Sequence, residues 1–180
     1  MRIIRHALGV TLLLLGLTSV GIAHAQPYGK GLWGVNVPYG SQTSLTIATN
    51  GNVTIPITPV DSGTLGTGTS TVTITSTDVV GYKLYIKAET STNMTNGVAT
   101  LPASANGSPA ALVTNTWGYN TDASSNFVGI TLTNALVKNA VGPYSAGDNT
   151  TFTYGVKVDN TKPAGNYAAT VTYTAVPQTN

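Results

Sequence analysis

The stretch "TFTYGVKVDNTKPAGNYAATVTYTAV", residues Thr151 to Val176, decides the fold class. Apolar and aromatic residues alternate with polar ones in both halves, which is typical of strands with one buried face. Pro163 and Gly165 lie in the connector, where a missing N–H costs no ladder bond. We therefore predict an antiparallel hairpin near the centre of the core. Its inward residues would be Phe152, Tyr154, Val156 and Val158, then Tyr167, Ala169, Val171, Tyr173 and Ala175.

The same alternation recurs along the chain in "TVTITST", "GYKLYIKA" and "FVGITLT", which begin at Thr71, Gly81 and Phe127. Turn residues separate these runs, and Thr, Val, Ser and Asn outnumber the good helix formers. About eight short strands predict an all-β fold, an antiparallel β-sandwich of immunoglobulin-like or jelly-roll type. Further strands are predicted at Ser44–Thr49, Asn52–Thr58, Leu112–Tyr119, Thr151–Val158 and Asn166–Val176. Gly63–Ser70 is predicted as a hairpin loop, and Thr133–Val141 is the one candidate for a turn or two of helix.

The first 25 residues have the pattern of an export signal. Arg2 and Arg5 are followed by an apolar run and then by Ala23-His24-Ala25, a small-x-small cleavage site. The run is short for a membrane span. We expect cleavage after Ala25, an N-terminal extension over residues 26–40 that could act as an edge or donor strand, and one β-sandwich domain over residues 41–180.

Cleavage would change the charge balance of the chain. The full sequence has eight basic and six acidic residues, but Arg2 and Arg5 would leave with the signal, so six lysines would face six carboxylates. A chain without net charge gives no electrostatic reason to expect nucleic acid or an anionic membrane as its partner. It also has no cysteine, so its stability would come from packing and hydrogen bonds.

Three motifs carry a family resemblance: "NTWGYN" from Asn115, "YGVKVD" from Tyr154 and "KPAGNYAATVTYTA" from Lys162. Over roughly residues 63–176 the chain resembles small exported β-sandwich surface proteins of candidate-phylum bacteria. These are similar in turn to the WxL-domain surface proteins of Gram-positive bacteria. The resemblance implies a cell-surface location and a non-enzymatic role. In the WxL position, Trp33-Gly34-Val35 and Trp117-Gly118-Tyr119 both lack the leucine.

Catalytic chemistry has few residues to draw on once the signal is removed. Both histidines, His6 and His24, would be lost with it, which excludes most nucleophile–base pairs and the usual zinc and haem ligands. The six carboxylates lie next to turn residues, so a paired-carboxylate hydrolase is the weak enzyme alternative. Calcium could draw on the oxygens of residues 122–126 or 147–150. A Lys–Asn isopeptide bond assisted by Glu89 is a further alternative. We expect no catalytic residue, cofactor or metal.

The aromatic residues offer the remaining candidate sites. Trp117 and Tyr119 share one face of a predicted strand, and they either stack on a glycan or belong to the core, which we favour for Trp117. The N-terminal extension carries a candidate interaction surface at Tyr28, Leu32, Trp33, Val35 and Tyr39.

Two functions remain open at this point. The first is a non-enzymatic, exported structural protein that assembles with copies of itself into a coat or fibre, for which the low charge and the Thr-rich strands argue. The second is an adhesion module that binds a glycan or another cell-surface polymer.

Overall fold

The computed structural model describes residues 43–178, and its strands form two facing antiparallel sheets with a small ribbon beside them. The described part of the chain contains no helix. This confirms the predicted antiparallel β-sandwich. The strands are β1 (Ser44–Thr49), β2 (Thr64–Thr77), β3 (Gly81–Ala88), β4 (Met94–Thr95), β5 (Thr100–Leu101), β6 (Thr116–Asn120), β7 (Ala135–Val141), β8 (Tyr144–Val158) and β9 (Val171–Gln178).

After the paired strands β1 and β2, the strand order repeatedly places sequence neighbours in opposite layers. Sheet A has the order β1-β2-β8-β6, sheet B has the order β7-β3-β9, and β4 and β5 form the ribbon. The chain therefore passes from one sheet to the other between β2 and β3, between β6 and β7, between β7 and β8, and between β8 and β9. On one side of the sandwich β1 lies near β9, and on the other β7 faces the β6–β8 half of sheet A.

The core fills the space between the sheets with the residues that the alternation predicts. Val72 and Ile74 of β2 are fully buried, as are Tyr82, Leu84 and Ile86 of β3. Phe152 of β8 packs against Tyr119 and Tyr173, with ring centroids 6.2 and 4.8 Å apart. One continuous cluster thus joins strands of both sheets.

The predicted terminal hairpin is wrong, although both of its inward faces are right. β8 pairs with β2 and β6, whereas β9 pairs with β3 in the other sheet. The two strands face each other across the core, where the hydroxyls of Tyr154 and Tyr173 share a hydrogen bond. The connector over residues 159–170 is too long for a tight hairpin turn and passes from one layer to the other.

Three local predictions are also corrected. Residues 64–70 continue β2 and do not form a loop, and residues 135–141 form β7 and not helix, because pairing with β3 overrides a local mixture of Ala, Leu and Lys. The stretch from Phe127 to Thr133 makes only isolated bridges. Phe127 is nonetheless fully buried, since its ring packs over Gly155 on the outer face of sheet A.

The segment 52–58 is extended, as predicted, but it belongs to no sheet. Its inward residues Val53, Ile55 and Ile57 are half-buried, and they pack over Gly66 and Gly68 of β2. A Cβ at Gly66 would lie 2.5 Å from the side chain of Ile57. The two glycines therefore make room for this segment in the second layer.

A search of residues 43–178 for a long apolar helix that could cross a membrane found none.

Candidate functional site: the open sheet edge at β7

Four strands lie at the edges of the two sheets, and β6 is closed by its own chain. Trp117 donates its N–H to Pro102 O at 3.2 Å and accepts from Ser104 N at 2.7 Å. Tyr119 and Val128 exchange two backbone hydrogen bonds of 2.9 and 2.8 Å. The segments around Ser104 and Val128 thus form hydrogen bonds with Trp117 and Tyr119, and these bonds occupy the outward backbone groups of β6.

The outer edge of β7 has no such cover from the described residues. The hydrogen bond from Gly142 N to Val80 O, 2.7 Å long, sets which residues of β7 bond to β3. Because alternate residues of an antiparallel strand bond to opposite sides, Asn139 and Val141 direct their backbone groups away from β3. No backbone hydrogen bond within residues 43–178 reaches those groups. Leu136 and Val141 leave 55% and 81% of their surface exposed, which makes this edge unusually apolar.

The edges of β9 and β1 lie on the opposite side of the sandwich. Glu89 N donates to Thr170 O at 3.0 Å and extends the ladder that joins β3 to β9. In the register of β3 and β9, the backbone of Pro177 faces the outer edge of β9. Proline has no N–H, so this edge lacks one hydrogen-bond donor. Proline is one of the devices that discourage strand pairing at an edge. β7 contains no proline, so its edge is a better template for an added strand than the edge of β9.

A cleft of about 200 Å³ adjoins β7, and we refer to it as the β7 cleft. Its walls come from the end of β6, the loop that follows, and the start of β7. The lining residues are Pro109, Tyr119, Asn120, Thr121, Asp122, Val128, Leu136 and Val137. Small-molecule sites typically measure about 300 to 1,000 Å³. The β7 cleft is therefore closer in size to a socket for one or two side chains.

Asn120 lines this cleft, and its side chain is almost fully buried. Its Nδ2 donates to Ser124 O at 2.9 Å and to Asn126 O at 2.8 Å. Its Oδ1 is buried and has no hydrogen-bond partner among the described residues, while the residue as a whole is 5% exposed. A buried acceptor without a partner is costly, so the two bonds made by Nδ2 stabilise this loop against a polar group that the fold leaves unpaired.

Asp122 is the only charged residue among those lining the β7 cleft. The Ser124 backbone N–H donates to its Oδ1 at 3.1 Å, and hydrogen bonding to Ser124 lowers the pKa of the carboxyl. The side chain is therefore ionised at neutral pH. The cleft consequently combines apolar walls with one negative charge at its rim.

A polar contact between the sheets holds β7 in place. Lys138 Nζ of β7 lies 2.7 Å from Asp148 Oδ1 of β8, and the hydroxyl of Tyr82 donates to Asp148 Oδ2 at 2.7 Å. Burial works to raise the pKa of Asp148, but the hydrogen bonds from Lys138 and Tyr82 outweigh it and the pKa is lowered. Burial, together with the Asp148 carboxylate, raises the pKa of Tyr82. Both carboxylate oxygens are thus engaged in structure.

Nothing matches this chain in comparisons with protein-family models, with curated proteins or with solved structures.

The aromatic residues singled out from the sequence have two outcomes. Tyr28, Leu32, Trp33, Val35 and Tyr39 lie outside the described residues. Trp117 is only 2% exposed and donates its Nε1–H to Thr92 O at 2.9 Å, so it belongs to the core, as we favoured. Tyr119 is 8% exposed. A glycan-stacking platform needs an exposed ring face, and neither ring offers one. The alternative that Trp117 and Tyr119 stack on a glycan is therefore wrong.

The residues considered for a metal site and for an isopeptide bond can also be located in the structure. In the region covered by residues 43–178, no three His, Cys, Asp or Glu side chains converge on a metal position. Of the calcium candidates, Asp148 is taken up by Lys138 and Tyr82, and Asp122 is bonded to Ser124. Glu89, the acid considered for an isopeptide bond, is exposed.

The outer faces of the two sheets differ in chemistry. The outer face of sheet A is rich in hydroxyl groups, including Thr71, Thr73 and Thr151, and cross-strand bonds join Thr71 to Thr151 and Thr73 to Asn149. By the alternation of β8, Lys157 lies on this same face near the end of the strand. Sheet B presents Lys83, Tyr85 and Lys87 in a row along its central strand, as the alternation predicts. The first face is therefore mainly hydroxylic, and the second is basic.

Sequence reasoning missed the open edge and the β7 cleft. The segment containing β7 is the candidate for a turn or two of helix, which conceals its edge, and Asn120 is indistinguishable in sequence from the many other asparagines. The exposed side chains of Leu136 and Val141 indicate an apolar edge only after the segment is known to be a strand.

Proposed function

We propose that this chain is an exported, non-enzymatic structural subunit that assembles with copies of itself at the cell surface through its open sheet edges. The observation that carries the proposal is the contrast between β6, whose edge is closed by the chain's own backbone, and β7, whose edge is open and apolar. An unpaired edge of this kind is a template for another strand.

Charge supports the same proposal. The chain from Gln26 onward has no formal net charge, so copies would approach one another without long-range repulsion. The hydroxyl-rich outer face of sheet A carries little charge that would keep neighbouring copies apart. The signal-like N-terminus and the resemblance to surface proteins support export.

The experiment is to purify the chain from Gln26 and follow its mass with concentration by light scattering, with electron microscopy of the largest species. We expect ordered oligomers or fibres that grow with concentration. A monodisperse monomer at all concentrations, with the fold intact by circular dichroism, would overturn the proposal.

One observation favours a second function, binding of an anionic surface polymer. Lys83 and Lys87 flank Tyr85 on the outer face of sheet B, and this arrangement combines two cations with a ring. A Lys83→Gln/Lys87→Gln variant should lose retention on a polyuronate matrix, with Lys162→Gln as the matched control. Equal retention of both variants would remove this candidate.

A further inference from the structure

We propose that residues 29–37 of one copy add as a strand to the open edge of β7 in another copy and place side chains in the β7 cleft. This rests on the proposed function and names the donor and the acceptor within it. It identifies the partner as a second copy of this chain.

The acceptor supplies backbone groups and a socket. Asn139 and Val141 direct N–H and C=O groups to the free edge, and an added strand would pair with them. The Tyr144 hydroxyl donates to Val141 O at 3.1 Å, which leaves that carbonyl its second lone pair. At the other end of β7, Leu136 and Val137 line the β7 cleft, so a strand added along this edge would come close to it. Strand addition typically gains affinity from main-chain bonds and specificity from such pockets.

The donor segment has complementary chemistry in its sequence. In "LWGVNV", from Leu32 to Val37, a strand would place Trp33, Val35 and Val37 on one face. Lys30 is the one charged residue in the stretch 26–42, and it is basic. Asp122 is the one charged residue that lines the cleft, and it is acidic. Apolar side chains would fill the cleft, and the opposite charges would favour one direction of the added strand.

The length of chain before β1 is sufficient for this exchange. The 17 residues from 26 to 42 span up to roughly 56 Å when extended, whereas the seven residues of β7 need about 23 Å. The segment leads into β1, which lies on the opposite side of the sandwich from β7. Each subunit would therefore donate its segment from one side of the sandwich and accept a neighbour's segment on the other side. Repetition of this contact gives an open chain of subunits.

The experiment uses complementary variants of the whole chain from Gln26. Leu136→Lys disables the acceptor, because an ammonium group would have to be desolvated at the cleft. Val35→Asp disables the donor for the same reason. Val98→Lys is the matched control, since Val98 is 94% exposed in a loop. Circular dichroism verifies the fold of each variant.

We expect each single variant to lower the assembled fraction at least about tenfold, with the control unchanged. Mixing the two variants should give a dimer and nothing longer, because only one functional donor meets one functional acceptor. Normal assembly of Leu136→Lys would overturn this inference and leave self-assembly standing. A mixture that stays monomeric would overturn it too, since the segment would then not act between copies.

If Leu136→Lys does not fold, Val141→Pro serves as the second acceptor variant. Val141 is 81% exposed and its N–H faces away from β3, so proline removes one outward donor without removing a bond of the sheet. Loss of assembly by Val141→Pro supports the inference, and unchanged assembly overturns it.

Discussion

At the scale of single residues, Asp148 has the largest structural role of any charged side chain described here. It links three strands, because Tyr82 of β3 and Lys138 of β7 both bond to it from the opposite layer. The carboxylate is 15% exposed, and Lys138 is 32% exposed, so the pair is partly shielded from water. Such a contact stabilises chiefly through hydrogen bonds to a charged group.

The substitution Asp148→Asn should lower the free energy of unfolding by about 1 to 3 kcal/mol, since it leaves the Lys138 ammonium without its charge partner. The pKa of Asp148 lies below the usual 3.8. The stabilisation that the charge provides is therefore complete above that value and is lost as the pH falls through the lower folded pKa.

Urea titrations from pH 2 to pH 7 measure both effects. The wild type should lose stability in acid more steeply than Asp148→Asn. Asp159→Asn is the comparison variant, because the pKa of that carboxyl is also lowered, by hydrogen bonds from Thr161 and Asn115, although it does not link the two sheets. Equal stability of Asp148→Asn and wild type at pH 7 would contradict the prediction.

At the scale of elements, the alternation of residues predicts strands and their buried faces but not their partners. Ser44–Thr49 forms β1 with the predicted bounds, and Tyr82 to Ala88 buries the predicted face. Pairing depends on residues far apart in sequence, so the apparent hairpin between Thr151 and Val176 divides between two sheets. The open β7 edge is likewise a property of topology, which no local pattern encodes.

The segment 52–58 illustrates the difference between packing and pairing. Val53, Ile55 and Ile57 pack on β2, yet no backbone hydrogen bond within the described residues involves residues 52–57. Their amides should therefore exchange with solvent rapidly, whereas those of Val72 and Ile74, between β1 and β8, should exchange at least about a thousandfold more slowly.

Hydrogen exchange followed by NMR at neutral pH, at a concentration where the chain is monomeric, gives this comparison directly. Fast exchange at Val53, Thr54, Ile55 and Ile57 confirms that side-chain packing alone holds the segment in the second layer. Protection equal to that of Val72 would contradict it and would show that the segment is paired with another strand.

At the scale of the whole molecule, charge sets the conditions under which copies can associate. The six lysines from Lys30 onward are balanced by five aspartates and Glu89 at neutral pH. The balance fails in acid, because protonated carboxyls leave the lysines uncompensated. Asp122, Asp148 and Asp159 resist this longest, since their pKa values are lowered.

The assemblies that we propose should therefore dissociate reversibly as the pH falls below about 3.5, through repulsion between positively charged subunits. Light scattering at low ionic strength, with circular dichroism at each pH, separates dissociation from unfolding. Salt at about 1 M shortens the Debye length to about 3 Å and should restore association at the same pH. Assemblies that persist at pH 3 in low salt would show that strand exchange holds the copies together more strongly than charge can separate them.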